Sequence, residues 1–145
     1  MNVAAATSRP TSFWVIAIAA LVWNLLGAAM FYMQVNMSPE QLAAMTAEQR
    51  QVYEGTPPWL NIAFGIGVFG GVLGAIGLLM KKKWATPLFL ISLIAVLVQM
   101  VAAYALTPAW AVYGITGLIM PVLVVLVALL LWRYSGKAAA RGWLS

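Results

Sequence analysis

Within the long apolar stretches of this 145-residue chain, few side chains can do chemistry. Asn24 and Gln99 are the two carboxamides set deepest in them, and Asn61, Ser92, Tyr104 and Thr116 add the remaining polar groups. Lipid offers no hydrogen-bond partner, so each amide must find one inside the protein or on a bound molecule. Two readings follow. In the first, Asn24 and Gln99 bond to each other or to neighbouring backbone, worth about 0.6 kcal/mol per bond. In the second, they join the aromatic faces of Trp23 and Tyr104 to line a site for an uncharged polar solute such as a sugar. Trp23 and Asn24 are consecutive and point about 100° apart on a helix, which works against both facing one pocket squarely.

Other chemistry lacks its parts. The chain has no Cys and no His, so haem, iron–sulfur and zinc sites lose their usual ligands. No Asp, Glu, Lys or Arg falls at mid-membrane depth, which argues against proton or ion coupling. With no nucleophile–base pair, paired carboxylates or metal cluster, the chain reads as non-enzymatic and without a cofactor.

Glycine is the other unusual feature. Ala63, Gly67, Gly70, Gly74 and Gly77 step by four, three, four and three, forming one stripe along a helix, with Gly71 beside it. Small residues in such a stripe let helix backbones approach closely. The stripe can pack within a bundle or associate with a second copy or another membrane subunit. Pro121 interrupts a further apolar run and should kink it near Gly117–Pro121, as a hinge or as a packing adjustment.

The elements that must position these residues follow from composition. Apolar residues make up 64% of the chain and charged residues only 8%, against about 45–50% and about 25% in soluble domains. That excludes an ordinary soluble enzyme, a nucleic-acid binder and a disordered tail. A spanning helix needs about 20 mainly apolar residues, and four stretches qualify: about 12–33, 59–80, 84–106 and 112–134. The first is too long for a signal-peptide core and ends without a small-residue cleavage site. The expected fold is all-α, a single integral membrane bundle of four transmembrane helices over 1–145, with a short helical extracytoplasmic loop.

Seven of the eight Lys and Arg (Arg9, Lys81, Lys82, Lys83, Arg133, Lys137 and Arg141) fall on one side of four alternating helices. Arg50 and all three acids, Glu40, Glu48 and Glu54, fall on the other. This asymmetry places both termini in the cytoplasm. Trp14, Trp59, Trp84, Trp110 and Trp132 lie near span ends, as an interfacial aromatic belt does. In the outer loop, 35–58, Ser38-Pro39-Glu40-Gln41 and Thr46-Ala47-Glu48-Gln49 each have the logic of a capped helix start. Thr86 and Pro87 should cap and open span three, and 135–145 should form a short basic tail attracted to anionic lipid.

Phe13-Trp14, Trp23-Asn24-Leu25-Leu26-Gly27, Phe31-Tyr32-Met33-Gln34, Pro58-Trp59, Ala63-Phe64, Val68-Phe69-Gly70-Gly71, Lys82-Lys83-Trp84-Ala85 and Leu88-Phe89-Leu90-Ile91-Ser92-Leu93 together form a distinctive pattern. Over about residues 12–135 it resembles a family of small four-helix bacterial inner-membrane proteins of unknown function, some labelled sugar transporters. The resemblance implies the bacterial inner membrane and brings no catalytic or substrate residue with it. The leading expectation is a non-enzymatic structural or accessory membrane protein acting through helix–helix association, with the lipid bilayer as its surroundings. The alternative is a small transporter or facilitator of a neutral polar solute.

Overall fold

The computed structural model describes residues 9–145. Its long helices are α1 (Thr11–Val35), α4 (Pro58–Leu79), α5 (Ala85–Leu106) and α7 (Ile119–Ala140). Short helices α2 (Pro39–Ala44), α3 (Ala47–Gly55) and α6 (Ala109–Tyr113) lie in the connections. A 3-10 turn, Ile115–Leu118, leads into α7, and no strand occurs among the described residues. Each long helix, with the 3-10 turn counted into the last, is long and apolar enough to cross a membrane. At 1.5 Å per residue, 22 residues reach about 33 Å, matching a hydrocarbon layer of about 30 Å. The protein is therefore an all-α, multi-pass membrane bundle.

The long helices pack in the order α1, α4, α5, α7, each against the next. Glycine explains why α4 can hold two neighbours. Gly67, Gly70, Gly74 and Gly77 are buried towards α5. A Cβ built on Gly67 would stand 2.8 Å from Val96, and one on Gly74 would stand 2.8 Å from the Phe89 ring. Ser92 Oγ donates to the Gly67 carbonyl at 2.5 Å, adding a polar clasp to the close approach. Gly71 lies off this stripe, where its bare Cα receives Asn24 of α1. Packing within the bundle thus occupies the whole glycine stripe.

Local signals govern the loops. Ser38 with Gln41, and Thr46 with Gln49, form reciprocal capping boxes that start α2 and α3 as the sequence pattern predicts. At the end carrying Lys81–Lys83, α4 and α7 finish in the same turn. Lys82 N–H donates to Gly77 O and Lys81 N–H to Leu78 O, while Trp143 N–H donates to Ala138 O and Gly142 N–H to Ala139 O. Both are Schellman closures, with Lys81 (φ 61°) and Gly142 (φ 77°) in the left-handed position.

Several expected boundaries shift. Thr86 does not cap α5: the helix starts at Ala85, so Thr86 lies inside its first turn, with its hydroxyl buried and without a partner among the described residues. The fourth span breaks at Gly114 (φ 61°, ψ −154°), and its continuous helix begins only at Ile119. Pro121 then falls in the first turn of α7, where its missing N–H removes no bond the helix needs. The irregular backbone, at Gly114 and in the 3-10 turn, lies just before it. At its other end α7 continues past 134 to Ala140, and the Gly142 turn folds the chain back. Trp143 and Leu144 are buried with Phe13, Leu78 and Phe89 instead of lying free as a tail. Lys83 N–H donates to Ser145 O at 3.0 Å and Ser145 N–H to Lys81 O at 2.8 Å, fastening this end of the bundle.

Candidate functional site

The packing order leaves α1 and α7 apart over most of their length. They meet at the basic end, where Phe13 stacks on Tyr134 at 6.5 Å and meets Trp143 edge-on at 6.0 Å. Away from that layer a cavity of about 380 Å³ opens between all four long helices. This is within the range of about 300–1,000 Å³ typical of small-molecule sites. On α1 and α4 its lining lies in the half nearer the acidic loop, on α5 it runs from Phe89 to Tyr104, and Phe89 and Leu131, both in the buried layer, floor it.

All four residues that the sequence singled out as polar contacts line this cavity: Trp23 and Asn24 from α1, Gln99 and Tyr104 from α5. The 100° between Trp23 and Asn24 does not separate them, because the space is wide enough for each to flank it from its own side. Their availability differs. Asn24 Nδ2 donates to the Ala20 carbonyl one turn back at 2.8 Å, and its Oδ1 sits in the space that a side chain on Gly71 would fill. Asn24 is thus held between α1 and α4. Gln99 is half-buried on the cavity wall, and its amide has no hydrogen-bond partner among the described residues. The two amides do not pair with each other.

Tyr104 borders the far end of the cavity. Its ring meets Trp110 edge-on at 6.0 Å, and its hydroxyl lies against Gly117 of the 3-10 turn. The remaining walls are apolar, and no charged side chain lines the space. Sequence reasoning missed Met30, Met100 and Met120, which come to this one cavity from three helices. Methionine is unbranched and adapts to varied shapes, but nothing in the linear order of three isolated methionines shows that they converge.

A second, smaller hollow of about 260 Å³ lies at the acidic end, lined by Gln34, Tyr53, Glu54, Thr56, Pro58 and Asn61. Gln34 donates to Asn61 at 3.0 Å, and Tyr53 Oη donates to the Gln34 carbonyl at 3.2 Å. These groups satisfy one another and fasten α3 across the ends of α1 and α4. They are a structural joint. No protein family, curated protein or solved structure matches the chain.

Proposed function

We propose that this membrane protein binds a small, neutral, mainly apolar molecule in the cavity between α1 and α7, as a carrier or facilitator. The observation that carries the reading is Gln99, an amide without a partner among the described residues on the wall of a mainly apolar, uncharged cavity. The half-buried amide is free to donate and accept towards the cavity, so a ligand with a hydrogen-bonding group of its own finds a partner there. A sugar fits these walls poorly. Each hydroxyl taken from water needs a partner, and with Asn24 and Ser92 already bonded to backbone the few polar groups here would leave most of a sugar's hydroxyls without one.

Helix–helix association with a second copy or another subunit is a separate reading, and the glycine stripe no longer supports it. Association would have to use the outward, lipid-facing sides of the long helices. The charge distribution supports an orientation with both ends of the bundle's chain in the cytoplasm, and the family resemblance supports the bacterial inner membrane. Arg9, Lys81–Lys83, Arg133, Lys137 and Arg141 gather at one end, and Glu40, Glu48 and Glu54 at the other.

The test is thermal unfolding in nanodiscs with a panel of neutral amphiphiles and sugars. A ligand that binds only the folded state stabilises it by about 2.7 kcal/mol at 100 times its Kd. At least one amphiphile should raise the Tm of the wild type and leave that of Gln99→Leu unmoved, while sugars move neither. Equal responses from both proteins across the panel would remove Gln99 from the site.

A further inference from the structure

The cavity is floored at its basic end and open on one side. Towards the basic end, the buried layer containing Phe13, Phe89 and Leu131 floors it. Towards the acidic end, Tyr104 braces against Trp110 and Gly117. Between these limits α1 and α7 stand apart. Three residues both line the cavity and are more than half exposed: Leu26 (60%) and Met30 (55%) on α1, and Met120 (53%) on α7. A residue that faces the inside and the outside at once marks the rim of an opening, and all three rim residues belong to membrane-spanning helices.

Resting on the ligand-binding reading above, we propose that the α1–α7 gap is a lateral mouth onto the bilayer. The ligand is then a single-chain neutral amphiphile that enters from the lipid phase, with its polar group on the Gln99 amide and its chain along the methionine-lined walls. Three features commit the site to this class. The rim carries no polar group, so a solute arriving from water finds nothing to replace its hydration. Neither α1 nor the Ile115–Trp132 stretch bears a charge, so an ionic headgroup would have no counter-ion at this depth. The Gln99 amide sets an N–H donor beside a carbonyl acceptor, which suits a compact hydroxyl or amide head.

The chain has no cysteine, so a nitroxide placed on Val124→Cys, on the cavity wall, reports this space alone. Its collisions with oxygen, which concentrates in lipid, are compared with those of a water-soluble nickel chelate in liposomes. Oxygen should dominate, and adding decanol should lower its access several-fold while sorbitol leaves it unchanged. Narrowing the rim with Leu26→Trp and Met120→Trp should reduce oxygen access in the same way. Should that pair fail to fold, Leu26→Ala should raise it. Dominance of the nickel chelate would overturn the lateral mouth while leaving the binding reading of Gln99 intact. Exclusion of both probes would mean a covered or collapsed cavity, and both readings would fall. An unchanged signal with decanol, despite free oxygen access, would overturn the amphiphile assignment.

Discussion

Asn24 and Gln99 carry the same functional group at similar depth, yet their neighbours leave them with opposite roles. Asn24 is bonded to Ala20 O and fitted against Gly71, so Asn24→Leu would lose a hydrogen bond and force a branched chain into a filled space. The expected loss is about 1–3 kcal/mol, read as a lowered unfolding midpoint in a mild detergent. Gln99→Leu removes an unpartnered polar group from an apolar wall, so its folded stability should match or slightly exceed the wild type in the same measurement. A second residue-scale effect concerns Lys81, which sits at φ 61° where the turn after α4 favours glycine. Lys81→Gly should stabilise the protein by about 1 kcal/mol, seen as a raised Tm. The sequence singles out both amides because a carboxamide in an apolar run is conspicuous. It does not say which one is free. That depends on a glycine 47 positions away meeting Asn24, a tertiary contact with no local trace.

At the scale of elements, α4 is the piece on which the others depend. Gly74→Leu would push a side chain into the Phe89 ring, at the centre of the α4–α5 contact. It should destabilise the bundle by at least the 1–3 kcal/mol typical of overpacking, with unfolding or aggregation on size-exclusion chromatography. The return of the chain after α7 matters in a different way. Trp143→Ala would empty a buried position beside Phe13 and should cost about 3 kcal/mol or more. The capping boxes at Ser38 and Thr46 could be read directly, since cap and partner lie three residues apart. The start of α7 could not. The apolar run is continuous through Gly114, and only the left-handed backbone there places Pro121 in a first turn instead of a helix interior. Trp143 was hidden similarly, although Gly142 after an alanine-rich helix end is the signal that a chain is turning back.

For the whole molecule, the packing order joins the two themes of the sequence, glycine and scarce polarity. Close approach of α1 and α5 to α4 draws three helices together, and α7 attaches through α5 alone over most of its length. The cavity is what remains between the first and last members of that row. The four spans were readable from hydropathy because a 20-residue apolar run has few alternatives in any fold. The gap was not, because it arises from which helices fail to touch. The charge asymmetry makes its own prediction. Cysteines introduced at Lys82 and Lys137 should react with a membrane-impermeant maleimide only after cells are opened, and one introduced at Glu48 should react in intact cells. The reverse pattern would invert the orientation.

The central claim is that the α1–α7 cavity holds a neutral ligand through Gln99. The most direct measurement is to extract the wild type and Gln99→Leu from their own membrane into native nanodiscs and identify the small molecules each retains, normalised to lipid. One neutral amphiphile should be enriched in the wild type and lost from Gln99→Leu, with both proteins folded. Identical small-molecule content in the two would contradict it.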